Sequence, residues 1–309
     1  MRFALRAIFL VVLLGAPGLA FACSGPPCGF GSSLAGASVP ANAPAVPVDA
    51  IDAFAPGLDV ADAGFELLTA NRQPIPASVE RSGDRSVVVV RPLQPLSAGQ
   101  SLLLRFPTEC GGGSFTDVAF TTSGAQPLPS TLGSFSVKAR GHGTVSIPGG
   151  PSCFMAMSGA YAQFAFTPAA ELVPFLPVTT WSLVVDGKVW AREPVGSIGA
   201  SGLVATMPYY RARNRVLEVN VPCSPETGGV GVGLGQHTAE LQGAIAGVSE
   251  PLTASTSFTL ACSGSSDEPK PIDENGMSAL PTPGCSSMPG MMAALAVLVF
   301  RRSRRVSMR

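Results

Sequence analysis

Apolar and polar positions alternate in short bursts along most of this chain, with no sustained helical periodicity between them. An extended, Pro-punctuated stretch, VPANAP at 39–44, is followed by FELL at 65–68, SVVVVR at 86–91, LLLRF at 102–106 and VAFTT at 118–122. These runs are rich in β-branched and aromatic residues and are bounded by turn residues at roughly the 8–12-residue spacing of sandwich strands. The pattern predicts an antiparallel sandwich over 37–124 rather than strand–helix–strand units. A second all-β module is expected over 125–262. Its strongest local signal is WSLVVDGKVW at 181–190, where Asp186-Gly187 separates two apolar runs, the chemistry of a type I′ hairpin turn. Further strands are expected at 203–207, 215–221, 238–243 and 256–261. The two modules end alike: Gly99-Gln100 leads to Phe120-Thr121, and Gly235-Gln236 leads to Phe258-Thr259. That echo suggests a tandem repeat of one sandwich type.

The two ends of the chain follow a different pattern. Arg2 and Arg6 precede an apolar run, AIFLVVLLGA at 7–16, and Ala20-Phe21-Ala22 then offers a small-x-small cleavage site. This reads as a signal peptide over 1–22, too short to span a bilayer. Cys23 would open the mature chain, and both ordinary cleavage and lipidation of Cys23 are open. At the other end, 263–284 is polar, Pro-containing and rich in small residues, a disordered linker. Gly284-Cys285 follows, then an apolar stretch from 288 to 300 and the basic cluster Arg301, Arg302, Arg304 and Arg305. An apolar segment closed by arginines is expected to lie in the membrane with its basic end in the cytoplasm. Thirteen helical residues reach only about 20 Å, so a permanent span would be short.

Composition narrows the classes of function. The 309 residues are 46% hydrophobic and only 13% charged, which excludes a polyelectrolyte or a coiled coil. Net charge is zero, but the arginines at the two ends account for part of the balance. The centre keeps thirteen basic residues against twenty acidic ones, so nucleic acid is not an expected partner.

Export gives the cysteines a meaning. Cys23, Cys28, Cys110, Cys153, Cys223 and Cys262 lie in the exported body and are disulfide candidates, the first two within a short N-terminal segment (23–36) ahead of the first sandwich. Cys223 with Cys262 and Cys28 with Cys110 are the preferred pairs, leaving Cys23 and Cys153. Pairing of Cys23 with Cys28, and Cys110 with Cys153, is the rival scheme.

Candidate chemistry is sparse. GGVGVGLG (228–235) places Gly at every second position and lacks the strand–turn–helix setting of a phosphate loop. His142 and His237 have no ligand-spaced partners, and both are expected on surface loops. No catalytic, cofactor-binding or metal-ligating residue is assigned, and no enzyme is expected. In YYRARNR, Tyr209 and Tyr210 precede Arg211, Arg213 and Arg215, which share one face of an extended segment. Aromatics beside arginines form a possible ligand face for sugars or anions. A solvated strand face explains the same pattern.

Two resemblances add to this reading. RPLQPLSAGQSLLLRF (91–106) followed by FTDVAFTTS (115–123), with the VPANAP opening, resembles a bacterial Ig-like domain. The order Gly284-Cys285, short apolar stretch and terminal Arg cluster resembles the myxobacterial sorting signal MYXO-CTERM. The second resemblance implies that residues 285–309 form a sorting tail cut near Cys285 by a membrane protease, with the Cys region as surface attachment point. A plain membrane anchor is the simpler alternative. The whole therefore reads as all-β, with tandem Ig-like antiparallel β-sandwiches between an N-terminal signal helix and a short C-terminal membrane helix. The expected role is structural or adhesive: an exported protein, attached at the cell surface or outer membrane, that meets a surface protein or polysaccharide. A carbohydrate-binding or hydrolase-accessory domain using Tyr209–Arg215 is the alternative.

Overall fold

The computed structural model describes residues 29–51, 64–81, 87–108, 113–150, 153–204, 214–223 and 232–262. All lie within one compact unit, Gly25–Ser278. The stretches expected to be a signal peptide (1–22), a linker (263–284) and a sorting tail (285–309) lie outside the described residues.

Nine strands build the first sandwich: β1 (Gly29–Gly31), β2 (Ser38–Pro40), β3 (Val46–Ile51), β4 (Glu66–Thr69), β5 (Pro74–Ile75), β6 (Ala77–Arg81), β7 (Val87–Pro92), β8 (Ser101–Pro107) and β9 (Phe115–Ser123). One sheet runs β1-β3-β7-β6 and the other β2-β9-β8-β4-β5. All pairings are antiparallel except β2 with β9. Lettered as in immunoglobulins, this is ABED against A′GFCC′, an immunoglobulin-like arrangement. The expected strands at 65–68, 86–91, 102–106 and 118–122 fall on β4, β7, β8 and β9. The first sheet also takes in β1, from within the segment 23–36.

The second sandwich contains β10 (Gly133–Gly150), β11 (Cys153–Pro168), a 3-10 turn (Val173–Val178), β12 (Thr179–Val185), β13 (Lys188–Glu193), β14 (Glu218–Pro222), β15 (Gly235–Ile245) and β16 (Leu252–Leu260). Its sheets run β10-β11-β14 and β13-β12-β15-β16. Asp186 and Gly187 form the β12–β13 turn with φ of 48° and 77°, as type I′ requires. Of the echoed Gly-Gln pairs, Gly99-Gln100 immediately precedes β8 and Gly235-Gln236 opens β15, each the penultimate strand of its sandwich, and the echoed Phe-Thr pairs lie in β9 and β16. Both histidines correct the loop expectation, since His142 lies in β10 and His237 in β15.

An aromatic chain fills the second core. Phe135 meets Phe164 at 5.0 Å, Phe164 meets Phe258 at 5.3 Å, and Phe166 meets Trp181 at 5.3 Å. The long hairpin β10–β11 leaves this core partway along its length. Val137 faces Phe164 and Ala139 faces Gln163, so Lys138 is a bulge. An extra residue transfers the odd-numbered positions of β10 to the opposite face. Phe135 therefore joins the main core, whereas Ala139, Val145 and Ile147 gather with Tyr161 in a separate cluster.

Two devices fasten the ends of the second sandwich. The Glu171 carboxylate accepts hydrogen bonds from the backbone N–H and the hydroxyl of both Ser130 and Thr131, which fixes the connection arriving from β9. Those four donors hold its carboxyl below the usual carboxylate range. Cys223, just past β14, is joined to Cys262, just past β16, with Cα atoms 5.6 Å apart. The preferred pair in the second module is thus formed. Cys23, Cys28 and Cys110 lie outside the described residues. Closing a loop over 39 positions restricts the unfolded chain, so replacing both cysteines by serine is expected to cost about 2–4 kcal/mol. Urea unfolding of the oxidised protein beside the Cys223→Ser/Cys262→Ser variant checks this, and equal midpoints would reject it.

Candidate functional site

Four consecutive valines in β7 lead to the most specialised part of the described molecule. Val87, Val88, Val89 and Val90 are all buried, although strand side chains point alternately to opposite faces. A run buried on both faces belongs to a sheet covered on both sides. Val88 and Val90 pair with Val48 and Val46 and face the first core. Val87 pairs with Asp49, and Val89 with Pro47, on the outer face. There the second sandwich docks.

The Asp49 Oδ1 accepts the backbone N–H of Val195 at 2.9 Å, and the Ser33 hydroxyl donates to the Val195 carbonyl. Arg91, on the same face of β7 as Val87 and Val89, donates to Glu80 at 3.0 Å and makes a long contact of 3.5 Å to the Gly247 carbonyl. Close approach explains the two glycines opposite. Gly196 has φ +64°, and a Cβ there would stand 2.5 Å from the Ser33 Oγ. Gly247 has φ +81°, and its Cβ would meet Arg91, Pro44 and Ala45 at 3.0–3.1 Å. The buried residues of both sandwiches form one continuous cluster across this joint.

Asp49 is the unusual group of the joint, being 6% exposed. Desolvation drives its pKa up to about 7, and the single Val195 hydrogen bond only partly opposes it. Beside the joint, an open cleft of about 300 Å³ is lined by residues 41–44 and 91–96. Two of its polar groups are already engaged: Asn42 exchanges two hydrogen bonds with Gln126, and Arg91 is held by Glu80.

The possible ligand face is described only at its last residue. Tyr209, Tyr210, Arg211 and Arg213 lie outside the described residues. Arg215 forms an ion pair with Glu193, which is buried at the end of β13. Burial raises the Glu193 pKa and Arg215 opposes the rise. Around this pair the Trp190 indole donates to the Glu218 carbonyl, and Asn214 donates to the Trp190 carbonyl. Arg215 thus fastens residues 214–218 over β13.

Two further clusters of titratable groups serve the architecture. The His237 Nδ1 lies 2.7 Å from the Asp186 carboxylate, its Nε2 lies 3.0 Å from the Gly233 carbonyl, and its ring packs on Phe258. Asp186 also accepts the Thr238 N–H, and its carboxyl is held below the usual range, by His237 first. The group joins the β12–β13 turn to β15. On the first sandwich, Arg105 grips Asp117 through two hydrogen bonds, with Arg72 and Glu66 alongside. Among the described residues no His, Cys, Asp or Glu cluster could hold a metal ion. No described helix is long and apolar enough to cross a membrane.

No family model and no curated protein matches the chain. Matching solved structures include the fibronectin(III)-like modules of Clostridium thermocellum CbhA, at 9% identity over 75% of this chain and 93% of that one, with TM-score 0.25. The N-terminal Ig1-2 module of the Drosophila receptor protein tyrosine phosphatase DLAR matches at 10% identity over 76% and 98%, with TM-score 0.22. Dimeric latent PorU from Porphyromonas gingivalis matches at 14% identity over 76% of this chain and 19% of that one, with TM-score 0.20.

Proposed function

We propose that this is an exported structural or adhesive protein of the bacterial envelope, held at the cell surface through its C-terminal end and carrying no catalysis of its own. The observation that carries this reading is the joint. Asp49, Ser33 and Arg91 meet Val195 and Gly247, so one core runs through both sandwiches. Interfaces between domains of one chain ordinarily allow relative motion unless they are large and apolar. A tandem pair fixed in this way suits a module that must hold a surface at a defined orientation away from its attachment point. The signal sequence, the linker at 263–284 and the resemblance of 285–309 to a sorting signal supply the route and the attachment. In this reading a membrane protease acts near Cys285, and Gly284, Arg301, Arg302, Arg304 and Arg305 belong to its recognition element.

The tail provides the test. Moving each arginine through hydrocarbon costs roughly 2.5–3.5 kcal/mol on insertion scales, so the basic end stays on the cytoplasmic side. Cys285→Ala is expected to leave the tail attached and the protein at the inner membrane. Deleting residues 286–309 is expected to release a folded, soluble body. Cell fractionation with mass spectrometry of both termini reads the two results. Normal surface display of Cys285→Ala with its tail intact would reject sorting.

A further inference from the structure

The chain passes from the first sandwich to the second through a short connection held at both ends. Asn42 exchanges two hydrogen bonds with Gln126, which fixes its start to the first sandwich. Glu171 holds Ser130 and Thr131, which fixes its end to the second. Only Pro127, Leu128 and Pro129 lie between these clamps. The prolines have no N–H to tie them to either body, and Leu128 is exposed. A few residues between clamped ends make a pivot for small rotations of one body against the other. The open cleft lined by Asn42 and Arg91 brings solvent from this pivot to the margin of the joint.

Asp49 lies inside that margin. Gly31 and Val87 stand opposite it on β1 and β7, and Val195 of the second sandwich closes over it. The segments of the second sandwich that meet the joint, 194–198 and 246–248, carry no charge, and neither does the 3-10 turn. On the elements around them, Glu80 pairs with Arg91 and Glu193 pairs with Arg215. Arg81 on β6, Lys188 and Arg192 on β13 and exposed Glu250 are the further charged residues of these elements and the adjoining turn among those described. Burial is the main influence on the Asp49 carboxyl, and the Val195 N–H is what opposes it. An ionised Asp49 in the closed joint thus has a hydrogen bond in place of a hydration shell. The sheet beneath it is fixed by its ladders, so water reaches the carboxylate by lifting the second sandwich.

We propose that Asp49 is a proton-operated latch between the two sandwiches. Protonated, it is buried and the joint is closed. Ionised, it is hydrated by a parting of the joint about Pro127–Pro129, while each sandwich keeps its fold. The closed joint therefore binds one proton more than the open one, and rising pH favours opening. The carboxyl titrates at about 7 when closed, against 3.8 for the ordinary hydrated group. Between these limits the opening equilibrium rises about tenfold per pH unit, at most about a thousandfold in all, and it levels off above pH 7. The inference uses the joint alone and is independent of how the chain is attached to the cell.

Hydrogen exchange of the full chain in a non-ionic detergent, corrected for the intrinsic pH dependence of exchange, tests this together with hydroxyl-radical footprinting of Val87 and Val89. Circular dichroism confirms the fold of each variant. Protection of peptides covering 192–198 is expected to fall about tenfold per pH unit from pH 5 to 7. Labelling of the two valines, buried under the joint and outside the 194–198 loop, is expected to rise with it. Peptides from the inner strands β8 and β15 are expected to stay more than about tenfold better protected than the joint at every pH. Asp49→Asn is expected to lose most of the slope in both readouts, and Glu193→Gln to keep it. Joint protection that does not change with pH overturns the proposal, as does joint protection equal to that of β8 and β15, which is global unfolding. Valines that stay unlabelled while 192–198 exchanges mean fraying of one loop and overturn it too. A slope kept by Asp49→Asn, or lost in Glu193→Gln, overturns the assignment to Asp49.

Discussion

Replacing Asp49 by Asn is expected to raise the thermal midpoint at pH 8 by up to roughly 10 °C and to leave it nearly unchanged at pH 4. In the folded protein the Asp49 carboxyl titrates at about 7, against 3.8 for the ordinary group. A group whose pKa is raised by folding contributes fully below its unfolded value, and that contribution is lost as pH rises through the folded value. The window is therefore about pH 4 to 7. A gap of about three units corresponds to about 4 kcal/mol as an upper bound, and each kcal/mol moves the midpoint of a body this size by roughly 2–4 °C. Asn keeps the oxygen that accepts the Val195 N–H and never ionises. Glu193, also raised by burial, stays in the variant and leaves a residual slope in the same direction. Calorimetry of both proteins between pH 4 and 8 decides the matter. A wild-type midpoint that does not fall over this range would reject an acidic group buried in the joint.

The second large effect is expected in the core of the second sandwich. Trp181 on β12 is 1% exposed, packs edge-on against Phe166, and stands opposite Gly243 on β15. A Cβ at Gly243 would come within 3.1 Å of the Trp181 ring, so the glycine makes room for it. Trp181→Ala empties that space and is expected to cost about 3–5 kcal/mol. The indole N–H, however, is buried without a partner. Trp181→Phe keeps an aromatic ring and removes the unpaired donor, so it is expected to cost far less, about 1 kcal/mol or under. Urea midpoints of the three proteins check the order. Equal losses in both variants would mean that ring volume does not set the stability here.

Much of this architecture is legible in the residues themselves. Asp186-Gly187 announces its hairpin because only a few residue types tolerate positive φ at both turn positions. The Gly-Gln and Phe-Thr echoes mark the last hairpin of each sandwich, since register and turn chemistry recur with the fold. The hairpin β10–β11 is harder to see. Its apolar residues hold to odd positions from Phe135 to Ile147, yet the bulge at Lys138 sends them to two different clusters, and Gly141 and Gly143 dilute the strand signal. The joint leaves one trace, the run of four valines in β7. That run signals a strand covered on both faces, but not what covers it. Asp49 and Val195 lie 146 positions apart, and no local pattern links them. The chemistry at Arg215 is equally hidden, because its partner Glu193 looks in sequence like one more charge on an exposed strand.

The Cys223–Cys262 bridge acquires a further meaning if the protein is held by its C-terminal end. β16 is an edge strand, and tension applied beyond Leu260 would peel it from β15 one hydrogen bond at a time, the weakest way to load a sheet. The bridge sits between that strand and the tether. It passes the load covalently to the end of β14 in the opposite sheet, so both layers of the sandwich share the pull. A single cross-link thus turns an unzipping geometry into one that must shear the whole module.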